Sequence, residues 1–174
     1  MIEEYATNCA RLECETFSLY VRGGRPALRV ISMRNNVHFR TSLFENKEAR
    51  PHFINPRCFG EDLVSWLLQR LQGSPFSLGD SIQEDYGWGF WVENDYWVAV
   101  GVMDDSIGIE NPKWLISVNY DAGLNLRKRF FGKADPSLQL KICGAINSVL
   151  HNEPNVTEIL WCDDEETDCD QNPG

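Results

Sequence analysis

The stretch 88–103 constrains the fold more than any other, because apolar residues alternate on both sides of the polar turn Glu93-Asn94-Asp95. A three-residue loop pairs Val92 with Tyr96 and keeps every residue on a consistent face, whereas a two-residue loop would mix the faces. One face is apolar and is predicted to face the core. The other sets two tryptophans among small residues: Gly89, Trp91, Trp97, Ala99 and Gly101. We expect this second face either to pack against a helix or to recognise another molecule.

Further strands are predicted wherever apolar and polar residues alternate. Residues 17–22 and 26–31 alternate around Gly23-Gly24, and glycine tolerates the positive φ of a hairpin turn. The same alternation predicts a strand over 37–43. Two apolar stretches with strand composition, 114–120 and 156–161, are predicted to extend the sheet.

Two segments have helical spacing instead. From residue 60 or 61 to 71, leucines recur four apart, acids occupy the first turn and Gly73 follows the end. In the second segment Asp135 is the predicted N-cap, Pro136 opens the helix, and an apolar stripe continues to His151. These elements predict one α+β domain over 1–162, with an antiparallel or mixed twisted sheet built from hairpins and two main helices packed on it.

The net charge of −10 is unevenly distributed along the chain. Residues 71–123 hold 9 acidic residues against 1 basic residue, whereas residues 1–70 and 124–162 are slightly basic. The last segment, 163–174, holds 6 acidic residues and no basic one. Because it has almost no apolar residue to bury, we expect it to be a disordered acidic tail.

Several functional classes are disfavoured by what the sequence lacks. The longest apolar run is far short of the ~20 residues of a membrane helix, and the N-terminus has no signal-peptide pattern. We therefore expect a cytoplasmic protein that does not bind membranes, in which the six cysteines are not expected to form disulfides. Because no CxxC, HxH or HExxH spacing occurs, we expect no metal and no cofactor.

The acidity coincides with the tryptophans of the central hairpin. Six carboxylates border it: Glu84, Asp85, Glu93, Asp95, Asp104 and Asp105. With Trp91 and Trp97 they would form an acidic aromatic surface suited to a basic protein, whereas nucleic acid requires basic patches. The leading hypothesis is a small binding protein that neutralises a basic partner, as an immunity or inhibitor protein does. Homo-oligomerisation through the Trp91/Trp97 face is left open.

An enzyme is the alternative hypothesis. Cys58 lies just ahead of a predicted helix with Arg57 beside it, a setting that favours the thiolate, and His52 would be its base. A hydrolase in which carboxylates such as Asp85 and Asp104 converge in a cleft is a second version. No motif of a known cysteine enzyme surrounds Cys58.

Overall fold

The computed structural model describes residues 33–121, 134–166 and 168–174. These residues form one seven-stranded antiparallel sheet and two α-helices, which confirms the predicted α+β class. The strands are β1 (Asn36–Arg40), β2 (Ile82–Glu84), β3 (Gly87–Val92), β4 (Tyr96–Val102), β5 (Lys113–Tyr120), β6 (Thr157–Cys162) and β7 (Cys169–Asp170). The helices are α1 (Glu61–Leu71) and α2 (Pro136–His151). Their order across the sheet is β2-β3-β4-β5-β1-β6-β7, and the hairpin predicted over 17–31 lies outside the described residues.

The central hairpin has the predicted register. Val92 pairs with Tyr96, and Trp91 pairs with Trp97. Glu93 and Asn94 have φ angles of 53° and 59°, so two consecutive residues of the turn adopt the left-handed conformation. The Glu93 carboxylate accepts a hydrogen bond of 2.8 Å from the Ser77 amide, and the Glu93 amide donates to the Ser77 carbonyl at 2.9 Å. The turn is therefore held by the segment before β2.

Both predicted helices are present, and each is anchored to the central strands. Gly60 precedes α1 with φ 147°, and a Cβ there would lie 2.9 Å from Val100 Cγ2, so only glycine fits at this contact with β4. At α2 the Asp135 carboxylate accepts from the Ser137 amide at 2.9 Å, as expected of an N-cap. The Tyr96 hydroxyl donates to the Asp135 carbonyl at 2.8 Å and accepts from its amide at 2.7 Å. This exchange ties the start of α2 to β4.

The hydrophobic core lies between the helices and the first face of the sheet. Its fully buried sheet residues alternate with those of the second face: Val37, Phe39, Phe90, Val98, Trp114, Ile116, Val118 and Trp161. The helices contribute Leu63, Val64, Leu67, Leu71, Ile142, Ile146 and Leu150. Within the described ranges, no helix combines the length and apolar character needed to cross a bilayer.

The acidic segment 163–174 differs from its predicted disorder. Its strand β7 pairs with β6, and a disulfide that the sequence did not lead us to expect joins Cys162 to Cys169. Arg34 also lies 3.2 Å from Asp168 and 3.8 Å from Asp170. The crosslink and these ion pairs provide the ordering contacts that the segment cannot gain from apolar burial.

Candidate functional site

The structure divides the six predicted carboxylates into two groups at opposite ends of the β3–β4 hairpin. Glu84 and Asp85 precede β3, and the pairing of Trp88 with Val100 brings them to the same end as Asp104 and Asp105. Glu93 and Asp95 belong to the tight turn at the other end. Because β3 has six residues, the two groups are separated by roughly 16 Å along the strand.

The larger group surrounds an aromatic residue that the sequence analysis did not assign to the surface. Tyr86 lies in the turn between β2 and β3 and is 41% exposed. It lines a small hollow with Asp104, Gly87 and Gly101. We call this region, formed by Glu84, Asp85, Tyr86, Asp104 and Asp105, the acidic end.

Among the described residues, few basic side chains pair with the carboxylates of the acidic end. Every arginine in the described ranges lies within 4.0 Å of a carboxylate oxygen. At the acidic end, however, Asp104 alone has a partner among the residues that the structure describes, the Arg57 guanidinium at 4.0 Å. Burial raises the pKa of the Tyr86 phenol, and the charges of Glu84 and Asp121 raise it further. Tyr86 therefore lies near the carboxylates of Glu84 and Asp121.

The tryptophan face of the hairpin is more enclosed than the sequence suggested. The rings of Trp91 and Trp97 are 5.2 Å apart, and Trp97 is only 6% exposed. A Cβ on Gly89 would lie 2.5 Å from Trp97 Cζ2, so this ring itself fills the space above the glycine. Neither of the two described helices packs on this face, because both contribute to the core on the first face. Trp91 is half-buried and remains the more accessible tryptophan.

Cys58 and His52, the alternative catalytic pair, both lie close to Trp88. The Trp88 indole donates to the Cys58 carbonyl at 3.0 Å, and the His52 ring meets Trp88 edge-on at 6.3 Å. His52 Nε2 lies 2.8 Å from a carboxylate oxygen of Glu61, which also binds Arg50. The Cys58 side chain is buried, and its sulfur lies 3.6 Å from the Asp85 carbonyl oxygen. These contacts are the ones expected if Cys58 and His52 serve to hold a packed loop in place.

A cavity on the second face of the sheet was missed by the sequence analysis. It has a volume of about 320 Å³ and is lined by His38, Arg40, Lys113, Glu158, Ile159, Leu160 and Gln171. Alternation in the predicted strand over 37–43 had placed His38 and Arg40 on its polar side. The other polar lining residues come from distant parts of the chain: Lys113, Glu158 and Gln171. They reach the cavity through long-range pairing of β5, β6 and the C-terminal segment, and no local sequence pattern predicts that pairing.

Metal ligation and similarity to other proteins give no independent indication of function. Over residues 33–121, 134–166 and 168–174, no three His, Cys, Asp or Glu side chains are grouped to hold a metal ion. No protein-family model, curated protein or solved structure matches the chain. Function is therefore inferred from the geometry and charge of this fold.

Proposed function

We propose that this protein is a binding protein whose acidic end receives a basic protein and neutralises it, as an immunity or inhibitor protein does. The observation that carries the proposal is the exposed Tyr86 ring among the acidic side chains of Glu84, Asp85 and Asp105. Tyrosine supplies a large, rigid contact area with a polar tip, and it is enriched among residues that dominate binding energy. A basic partner would bring Lys or Arg side chains to Glu84, Asp85 and Asp105.

The carboxylates without ion-pair partners among the described residues support a basic partner over other ligands. Glu84, Asp85 and Asp105 are exposed and have no ion-pair partner within the described part of the chain. Forming ion pairs with an incoming protein would therefore not require existing pairs to be broken. A field of one sign also accelerates association with an oppositely charged protein, in a manner that salt weakens.

One interface of ordinary size is large enough to include both ends of the hairpin. A stable complex buries about 800 Å² on each partner, which corresponds to a patch roughly 28 Å across. The acidic end and the Glu93/Asp95 turn are separated by roughly 16 Å, so one partner can cover both. In this arrangement Trp91 contributes a second aromatic contact, and Trp97 supports it from below.

We propose that this activity takes place in the cytoplasm. In a reducing compartment the disulfide between Cys162 and Cys169 would be conditional rather than permanent. The acidic end does not depend on that bond, because its residues all lie between β2 and the turn after β4.

Affinity capture from the native organism with matched variants tests the proposal. The first bait is the wild-type protein, and the second carries Glu84→Gln, Asp85→Asn and Asp105→Asn. A control bait carries Glu48→Gln, Asp80→Asn and Glu165→Gln, which neutralise the same number of exposed carboxylates elsewhere. We expect the wild-type and control baits to retain a basic protein that the second bait loses.

Tyr86→Ala tests the aromatic contact separately. With the captured protein as ligand, this change should weaken binding by about 2 kcal/mol or more, which is roughly 30-fold in the dissociation constant. Capture of the same basic protein by all three baits, or unchanged affinity of Tyr86→Ala, would exclude the acidic end as the interface.

A further inference from the structure

We propose that the cavity beside His38 is a second binding site, selective for a small anion that carries a carboxylate or phosphate group. It lies on the face of the sheet opposite the helices, because Val37 and Phe39 on either side of His38 are buried in the core. Its volume of about 320 Å³ is at the lower end of the range found for small-molecule sites. The cavity is separate from the acidic end and does not depend on its function.

The charges in the cavity favour an anion. Arg40 and Lys113 are cross-strand partners of β1 and β5, so their side chains share one face. The Arg40 Nε lies 2.9 Å from Glu158, which balances that charge. Lys113 has no ion-pair partner among the described residues, and its ammonium group remains to bind a carboxylate or phosphate oxygen.

His38 provides the independent observation that this site is built to bind something. The residue is only 4% exposed, yet its Nδ1 has no hydrogen-bond partner in the part of the chain that the structure describes. Such orphaned buried groups are uncommon and call for a specific explanation. Its Nε2 lies 3.4 Å from a Glu166 carboxylate oxygen. The chain thus already directs one carboxylate at this imidazole from the C-terminal segment.

The charged groups around His38 determine how an anion would change it. Lys113 faces it from β5, Arg40 lines the cavity from its own strand, Glu158 lines it from β6, and Glu166 approaches from the C-terminal segment. Burial lowers the pKa of His38, Lys113 lowers it further, and Glu166 partly offsets both effects. An anion bound at Lys113 would screen that charge and raise the pKa of His38.

Nuclear magnetic resonance of the histidine ring signals tests this site, with His38→Gln used to assign the signal. We would titrate inorganic phosphate and, separately, butyrate at constant ionic strength. A saturable shift of the His38 signal below about 10 mM is expected for at least one of the two anions. Saturation by phosphate alone or by butyrate alone identifies the preferred group, and failure of both to saturate overturns the proposal.

Matched lysine variants decide whether Lys113 holds the anion. Lys113→Gln should weaken binding about tenfold or more, because it removes a charge-assisted contact. Lys141→Gln, which removes an exposed lysine of α2, should leave binding unchanged, and Lys113→Arg should retain it. Glu166→Gln should strengthen binding, because it removes a competing carboxylate. Equal affinity of wild type and folded Lys113→Gln, or weaker binding by Glu166→Gln, would overturn the proposal.

Discussion

Replacement of Gly89 by alanine would test the packing of the tryptophan face. The new Cβ would lie 2.5 Å from both the Val98 carbonyl oxygen and Trp97 Cζ2, where ordinary contacts begin at 3.4 Å. The Val98 oxygen belongs to the backbone of β4, so relief requires β3 and β4 to separate or Trp97 to leave its position. Overpacking of this kind costs about 1–3 kcal/mol, and we expect the upper half of that range because the backbone is involved.

The loss can be measured by urea denaturation followed by far-UV circular dichroism, which does not rely on Trp97 as a probe. A loss of about 2–3 kcal/mol would lower the urea midpoint by roughly 1 M or more. It would also lower the melting temperature by roughly 4–12 °C for a protein of this size.

Gly101→Ala is the matched control for this experiment. It makes the same chemical change on the same face of the neighbouring strand, but among the described residues its Cβ would meet only the Phe59 carbonyl oxygen, at 4.0 Å. We expect it to be neutral or to stabilise the protein by up to about 1 kcal/mol, since glycine weakens a strand interior. If Gly89→Ala were as stable as Gly101→Ala, the Trp97 ring could not lie over Gly89 as described.

Three further predictions concern the titration of His38, the reactivity of Cys58 and the C-terminal disulfide. The pKa of His38 is lower in the folded state than in the unfolded chain. As the pH drops through the ordinary value near 6.5, the unfolded chain therefore binds more protons than the folded protein. The free energy of unfolding should fall as the pH drops from about 7 through that value. His38→Gln should lose this component of the pH dependence, and an identical profile would refute the assignment. Cys58 is 5% exposed and should react with iodoacetamide at pH 6 no faster than free cysteine; rapid labelling would instead favour the nucleophile hypothesis. Reduction of the Cys162–Cys169 bond should increase hydrogen exchange in residues 163–174 and leave β3–β5 protected, whereas loss of protection throughout the sheet would contradict the edge position of β7.

The fold could be predicted where local patterns determine it. The register of β3 and β4 follows from alternation on both sides of a three-residue turn. Helix α2 begins at Pro136 because the side chain of Asp135 caps the next residues. The strand predicted over 37–43 ends at Arg40, where the residue pairing of β1 with both neighbouring strands ends.

What could not be predicted depends on contacts between distant residues. Cysteine spacing does not indicate which cysteines form a bond, so the disulfide that holds the C-terminal segment to β6 was not predicted. The cavity beside His38 requires the pairing of β1 with both β5 and β6, whose partners are far apart in sequence. In the candidate site the carboxylates were predicted individually, but their division between two ends and the exposure of Tyr86 beside four of them required the fold.

The proposed function requires that the acidic end bind a basic protein. Its most direct test is the association rate constant of the captured partner with wild type and with the Glu84→Gln, Asp85→Asn, Asp105→Asn variant, at low and at high salt. We expect the variant to associate at least about tenfold more slowly at low salt and to lose most of the salt dependence. Equal rates and equal salt dependence for the two proteins would contradict the claim.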